Sequence, residues 1–329
     1  MSSPGSGAFP TAPLPVALRH DSDARGMSGS GMSGSGMSGS GPRATRNTGA
    51  ATVPGVHPTT RAAWAFDARR PALIAVAHGS RDPRSAATMY AVVEQLAAAR
   101  PDLDVRLAFL DLSAPSVDQV VDAVAAAGHS HAVVVPLLLG SAFHARVDLP
   151  GLLAAARTRH PRLYLTQADV LGVDPRLVTA LRDRVHEAPG AGFDSGAAHP
   201  TARVAGTPFD YAPRLGIAVA AVGSSSPAAN ARTAEVARRL TTLTGWDTEI
   251  CFATIEPTIV AAAARLRARG ADRILVAPWF LAPGLLTDRL SAAATDLTHA
   301  EVIGAHPALT EIVWDRYDAA ATTTLTRTA

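Results

Sequence analysis

The sequence predicts an α/β fold built from two tandem, similar halves, each a parallel sheet flanked by helices, with a disordered tail in front. Three observations predict it. Short apolar runs alternate with helical segments of 10–15 residues, as in parallel βαβ units. The apolar runs are nearly continuous, which is typical of strands in a sheet that is covered on both faces. The order of these elements then recurs later in the chain.

Composition divides the chain into four segments. Residues 1–70 are rich in Gly, Ser, Pro and Ala and contain the repeat GMSGSGMSGSGMSGSG. Such a segment cannot bury enough apolar surface to offset its chain entropy, so we expect a disordered tail. Residues 71–187 form the first predicted half, 188–213 a loop-like linker, and 214–329 the second half.

The first half begins with the buried strand ALIAVA and the amphipathic helix RSAATMYAVVEQLAAAR. Strands and helices continue to alternate in the order DVRLAFL, SVDQVVDAVAAAG, HAVVVPLLL, RVDLPGLLAAARTRH, RLYLTQA and PRLVTALRDRVHEA. The second half repeats this order as LGIAVAAVGSSSP, AANARTAEVARRLTTLTG, DTEICFAT, PTIVAAAARLRARG, DRILVAPWFLAPG, LLTDRLSAAATDL, EVIGAHP and ALTEIVWDRY.

Three pairs of positions support the duplication. They are Pro136 with Pro278 and Pro115 with Pro257, 142 residues apart, and His78 with Val222, 144 residues apart. A nearly constant spacing across three separate motifs is expected if one α/β unit was copied.

Charge and cysteine content exclude several classes of protein. All 30 Lys+Arg residues are arginine; residues 1–70 hold seven of them against three acids, and residues 71–329 hold 23 against 25 acids. The predicted halves are therefore slightly acidic, which argues against a nucleic-acid-binding domain. The single cysteine, Cys251, excludes a disulfide framework and a cysteine-based zinc site. No apolar run is long enough for a membrane span, and the N-terminus has no apolar core of the kind that a signal peptide requires, so we expect a cytoplasmic protein.

Three polar side chains follow the first three strands of the first half. His78 ends the first strand, Asp111 ends the second, and His144 lies in the loop after the third. Ligands of open parallel sheets bind beyond the carboxyl ends of the strands. Two imidazoles and a carboxylate at that edge could hold a metal with open positions, or could simply cap the strands as hydrogen-bonded polar groups.

The second half favours a functional role for these side chains. Aligned by the prolines, it carries an apolar residue at each corresponding position, namely Val222, Ala253 and Leu286. If the polar groups supported the fold, both halves should need them. We therefore expect one reactive half and one non-reactive half.

The motifs HGSRDPRS, FLDLSAPS and VVVPLLLGSAFHARVDLP resemble those of the sirohydrochlorin chelatases, class II tetrapyrrole chelatases of the CbiX/SirB type. The resemblance covers about residues 72–318 and is strongest in the first half, which would carry the active site, leaving a degenerate second half. It implies that His78 is the proton acceptor and a metal ligand, and that His144 is the second catalytic histidine and metal ligand. Asp111 would be a third metal ligand, although many relatives have glutamate there. Residues before His144 would line the tetrapyrrole: Leu138, Leu139, Gly140, Ser141, Ala142 and Phe143.

The carboxylates of sirohydrochlorin would need cationic and polar partners. Arg81, Arg84 and Arg146 flank the two histidines, and guanidinium matches carboxylate with two parallel hydrogen bonds. Ser80 could add backbone N–H groups at the turn. For the second apolar wall the sequence offers Trp279, Phe280 and Leu281, although core packing explains Phe280 better.

The expected reaction is insertion of a divalent metal into sirohydrochlorin with release of two protons, Fe²⁺ being favoured and sirohaem the product. The metal is a substrate, and no organic cofactor is expected. The partners are sirohydrochlorin and the metal ion, with hand-off from the upstream tetrapyrrole enzyme and no nucleic acid or membrane. Three alternatives stay open: a cobaltochelatase of cobalamin biosynthesis, a non-catalytic metal or tetrapyrrole carrier, and phosphoryl transfer at the HGSR turn.

Overall fold

The computed structural model of the chain describes residues 70–140, 147–189 and 214–328, so the predicted tail and nearly all of the linker lie outside the described residues. The strands are β1 (Ala72–Ala77), β2 (Val105–Phe109), β3 (His131–Pro136), β4 (Tyr164–Gln167), β5 (Leu215–Ala221), β6 (Asp247–Phe252), β7 (Arg273–Pro278) and β8 (Thr298–His299). The helices are α1 (Pro83–Ala99), α2 (Val117–Ala126), α3 (Leu149–Arg159), α4 (Pro175–Glu187), α5 (Pro227–Thr244), α6 (Ile259–Ala268), α7 (Leu285–Ala293) and α8 (Pro307–Thr328).

The strands form two parallel four-stranded sheets, in the orders β2-β1-β3-β4 and β6-β5-β7-β8. This confirms the predicted fold class of two tandem α/β halves. One predicted strand was misplaced. EVIGAHP is irregular, and β8 is the two residues Thr298–His299 just before it. In the part of the chain that the structure describes, no helix is both long and apolar enough to cross a membrane.

Helix starts follow local sequence signals. Asp82 accepts a hydrogen bond from the backbone N–H of Arg84 at the start of α1, with Pro83 in the first turn. Ser116 and Gln119 form a reciprocal capping box at the start of α2. The caps at Asp82 and Ser116 mark where the loops after β1 and β2 end, and so set the lengths of these two loops at the carboxyl edge of the sheet.

Side chains of alternate residues in the central strands pack in different hydrophobic clusters, one on each face of the sheet. Leu73 and Ala75 of β1 belong to a core cluster shared by both halves, whereas Ile74 packs in a cluster with α2 and α3 on the outer face. In β5, Ile217 joins the shared cluster and Ala218 packs outward with α6 and α7. The period of two along each strand therefore places two covered faces on each sheet.

The last helix of each half crosses to the other half. Helix α8 packs on β3 and β4 of the first sheet and on α1, while α4 packs on β7 of the second sheet and on α5. Trp314 on α8 lies in the shared core, and Arg100 at the end of α1 lies 4.3 Å above its ring and pairs with Asp318. Each half is thus completed by a helix from the other.

Candidate active site

His78 occupies the first residue after β1, and its side chain is exposed at the carboxyl edge of the first sheet. Gly79 follows with φ +94°, a backbone conformation that suits glycine. Ser80 accepts the backbone N–H of Asp82 at 3.0 Å, which closes the turn into α1. The turn therefore presents the imidazole at the edge of the sheet, between a buried strand and a capped helix.

The imidazole contacts its own turn through one nitrogen. Its Nδ1 lies 3.3 Å from the carbonyl oxygen of Gly79, a long hydrogen bond. Since a carbonyl can only accept, Nδ1 carries the proton in this contact, and the lone pair of the neutral ring is on Nε2. In this tautomer Nε2 is the ring nitrogen whose lone pair could accept a proton or a metal ion.

Asp111, after β2, lies directly beside the His78 turn. Its backbone N–H donates to the His78 carbonyl at 3.0 Å, and a Cβ added to Gly79 would lie 1.7 Å from the Asp111 carbonyl oxygen. Its carboxylate accepts the N–H of Leu112 at 2.7 Å, and Leu112 adopts the left-handed conformation at φ 60°. The structure thus brings together two of the three polar residues that the sequence singled out.

Ser113 was missed by the sequence reasoning. Its hydroxyl accepts the backbone N–H of Ser80 at 3.0 Å and donates to the Ser80 carbonyl at 2.8 Å, so it joins the loops that follow β1 and β2. The motif FLDLSAPS contains it, but sequence alone gives no sign that this serine rather than a neighbour makes the contact.

The loop after β3 is described only in part. Leu138 and Leu139 are half-buried at the strand end, and Gly140 is exposed. The Leu138 carbonyl accepts the backbone N–H groups of Leu171 and Gly172, which fixes the start of the loop. The predicted residues Ser141, Ala142, Phe143, His144 and Arg146 lie outside the described residues. Within the described ranges, no group of three or more His, Cys, Asp or Glu side chains could hold a metal ion.

The flanking arginines differ in their surroundings. Arg84 hydrogen-bonds to the Asp82 carboxylate and also reaches Asp288 of α7 in the other half, at 2.5 Å. The Arg84 hydrogen bonds hold the pKa of Asp82 below its usual value, and the two carboxylates raise the pKa of Arg84. Arg84 is therefore already neutralised by protein carboxylates. Arg81 is exposed and forms no ion pair with any residue that the structure describes.

The suggested second apolar wall is not where the sequence placed it. Trp279 and Phe280 are buried, 3% and 9% exposed. Trp279 packs in the core shared by both halves, with Leu281 half-buried against it, and Phe280 packs in the outer cluster with α6 and α7. The exposed apolar side chain of this region is Leu285, 71% exposed at the start of α7. Its neighbour Gly284 lies next to the turn that carries His78, since a Cβ there would be 3.8 Å from Ser80 Oγ.

The second half keeps the turn but not its side chains. Val222 replaces His78, and Gly223 keeps the left-handed backbone at φ +91°. The counterpart of Asp111 is Thr254 and not Ala253, because the Thr254 N–H donates to the Val222 carbonyl as that of Asp111 does to His78. The proline-based alignment was wrong here since this loop is one residue shorter in the second half. Thr254 is polar but carries no charge that could bind a metal or take up a proton at neutral pH.

Fold and site together define a two-half, chelatase-like α/β protein whose candidate reactive groups lie in the first half. The family model CbiX matches residues 72–188 and 216–320, and the chain belongs to this family.

Curated relatives and a solved structure are similar over most of their length. A sirohydrochlorin ferrochelatase of Priestia megaterium is 26% identical over 254 residues, covering 74% of this chain and 87% of that protein. A sirohydrochlorin cobaltochelatase of the same organism is 26% identical over 256 residues, covering 73% and 77%. The structure of SirB from Bacillus subtilis with Fe³⁺ has the same fold, with a TM-score of 0.61, 21% identity and coverage of 78% and 98%.

Proposed function

We propose that this protein is a sirohydrochlorin chelatase, which inserts a divalent metal ion into the tetrapyrrole, with Fe²⁺ as the favoured metal and sirohaem as the product. Family membership across both halves and the names of the relatives support this function. The observation that carries the mechanism is the His78 ring, whose Nδ1 contact with the Gly79 carbonyl leaves Nε2 as the basic nitrogen.

Metal insertion exchanges two pyrrole N–H protons for one M²⁺ ion. His78 Nε2 takes up a pyrrole proton at the face of the macrocycle, and the lone pairs of the ring nitrogens then bind the metal. His144 ligates the incoming ion and leaves its other positions open for transfer to the ring. His78 shares the ion only while its Nε2 carries no proton, because an imidazolium has no lone pair for a metal. After passing the first pyrrole proton to solvent, His78 accepts the second and releases it in the same way.

Asp111 assists the histidine. Its backbone N–H donates to the His78 carbonyl, so Asp111 fixes the turn that carries the imidazole. It is also the third candidate metal ligand. An aspartate reaches less far than a glutamate, so we assign Asp111 mainly the positioning of the His78 turn.

Substrate binding combines an apolar face with cationic partners. One face of the macrocycle packs on Leu138, Leu139, Gly140, Ser141, Ala142 and Phe143. Arg81 and Arg146 pair with the peripheral carboxylates. The expected role of the Ser80 backbone N–H is not kept, because this group already donates to Ser113 Oγ. We leave out Arg84 because Asp82 and Asp288 already occupy its guanidinium. In this proposal residues 71–187 carry the active site, and 214–329 form the degenerate half.

Cobalt is the alternative metal. The ferrochelatase and the cobaltochelatase of Priestia megaterium are equally similar to this chain, at 26% identity, so sequence similarity favours neither metal. Divalent first-row metals follow an affinity order that a site with few ligands hardly changes, and supply then decides which one is inserted. Hand-off from the preceding tetrapyrrole enzyme and a cytoplasmic location stay predictions.

The test follows the absorbance of sirohydrochlorin with Fe²⁺ or Co²⁺ under anaerobic conditions. His78→Ala and His144→Ala should each abolish turnover at saturating metal. His131→Ala is the matched control, because His131 begins β3 at the opposite edge of the same sheet. Turnover that survives both active-site substitutions, or that His131→Ala reduces equally, would overturn the assignment of the two histidines.

A further inference from the structure

The two halves hold their equivalent turns in different ways. In the first half, the hydroxyl of Ser113 bonds to both the N–H and the carbonyl of Ser80, at 3.0 and 2.8 Å. In the second half, Asn230 does the same for Ser224: its Oδ1 accepts the N–H at 2.8 Å and its Nδ2 donates to the carbonyl at 2.7 Å. Each turn thus has a single side chain that fixes one residue at both backbone groups.

The origin of the fixing side chain differs. Asn230 lies on α5, the helix that the turn itself begins, only six residues after Ser224. The position equivalent to Asn230 in the first half is Ala86, which has no polar side chain. Ser113 comes instead from the loop after β2, 33 residues from Ser80. At Ser80 the first half therefore ties its turn to the loop that carries Asp111, whereas at Ser224 the second half ties its turn to its own helix. In the second half the loop after β6 reaches the turn at Val222, through the Thr254 hydroxyl.

The hydrogen bonds between Ser113 and Ser80 restrain the backbone next to Gly79. Gly79 stands between His78, held by the N–H of Asp111, and Ser80, held by Ser113. Glycine has more backbone freedom than any other residue, so hydrogen bonds on both sides of Gly79 are needed to fix the peptide that the His78 ring contacts. Loss of the Ser113 side chain removes the hydrogen bonds to Ser80 and leaves the one from Asp111 to His78 intact.

We propose that Ser113 is a positioning residue, which holds the His78 imidazole in its orientation next to Asp111 by pinning the turn from the β2 loop. This inference rests on the proposed chelatase function for its kinetic consequence only. Ser113 itself touches neither the metal nor the tetrapyrrole. It acts through Ser80 and Gly79 on the Nδ1 contact that sets the tautomer of His78.

The kinetic experiment compares Ser113→Ala with Asn230→Ala. Each substitution removes two hydrogen bonds from equivalent turns, so the two variants should lose similar stability. Ser113→Ala should lower kcat by about tenfold with little change in KM, whereas Asn230→Ala should leave kcat within about twofold of wild type. Ser113→Thr keeps the hydroxyl and should restore activity, and Ser113→Cys, a weaker hydrogen-bonding group of similar size, should lie between them.

A second measurement does not depend on activity. The ring ¹⁵N resonances of His78 are recorded by NMR at one fixed pH, the signal being assigned by its loss in His78→Ala. Ser113→Ala should shift these resonances, because the ring then leaves its orientation, and Asn230→Ala should not. A wild type without metallation activity would refute the proposed function while these resonances still decide on Ser113. Equal effects of the two alanine variants on the resonances, or a His78 signal unmoved by Ser113→Ala, would overturn the positioning role.

Discussion

Replacing Gly79 by alanine tests whether the turn that carries His78 depends on its close approach to the loop after β2. The residue has φ +94°, and the new Cβ would lie 1.7 Å from the backbone oxygen of Asp111. The left-handed backbone alone costs alanine about 1–2 kcal/mol. Because a backbone atom blocks the site, the loops must separate and lose the bond from Asp111 to His78, worth about 0.5–1.5 kcal/mol. We expect Gly79→Ala to lower the free energy of unfolding by about 1.5–3.5 kcal/mol and to abolish metallation.

Two other glycines supply graded controls. Gly128 has φ +86° with nothing within 4 Å of the new Cβ, so Gly128→Ala should show the conformational cost alone. At Gly223, φ +91°, the nearest atom is Thr254 Oγ1 at 2.7 Å, a side-chain atom that can rotate away, although Ile255 and Phe252 limit the space. Urea unfolding should therefore rank the losses Gly128→Ala, Gly223→Ala, Gly79→Ala in increasing order. A Gly79→Ala variant as stable as Gly128→Ala and still active would refute the reasoning.

Three further predictions concern the shared core and the titrating groups. Trp314→Ala should lower the free energy of unfolding by about 3–5 kcal/mol, because its ring is buried between the halves. A urea midpoint close to that of wild type would argue against the packing of α8 on the first half. The Arg100 hydrogen bond lowers the pKa of Asp318 from 3.8, so the pair stabilises the fold above that value and the benefit is lost as the pH falls through the folded-state pKa. Asp318→Asn should thus be less stable than wild type at pH 7, with a thermal-unfolding deficit that disappears in strong acid; a deficit independent of pH would contradict this. Burial raises the pKa of Cys251 to about 12, so a thiol reagent should label it only on unfolding, and rapid labelling of the native protein would show that β6 is more open than described.

The fold class could be predicted because it depends on local patterns. Continuous apolar runs such as ALIAVA and capped helices such as the one after Ser116 carry their own signals, and the repeat fixes the number of halves. The exchange of α4 and α8 could not be predicted, since an apolar helix face indicates burial but not which sheet buries it. The alignment of Asp111 with Ala253 failed because a one-residue loop difference cannot be seen from prolines alone.

The candidate site was predictable in its residue types and less so in its contacts. His78 and Asp111 were identified because polar residues at strand ends interrupt apolar runs, and parallel topology then brings them together. The engagement of Arg84 with Asp288 was not predictable, since the two residues are 204 positions apart and meet only across the halves. Ser113 was missed because its role depends on a contact with the backbone of Ser80, 33 residues earlier, which the sequence does not reveal.

The central claim is that the protein catalyses metal insertion and does not merely carry the metal or the tetrapyrrole. The most direct measurement is anaerobic metallation of sirohydrochlorin by Fe²⁺ with the substrate in large excess over wild-type protein. The account predicts many turnovers per chain at a rate well above that in buffer, lost in His78→Ala. Binding of one tetrapyrrole per chain, with insertion no faster than in buffer, would contradict it and leave a carrier.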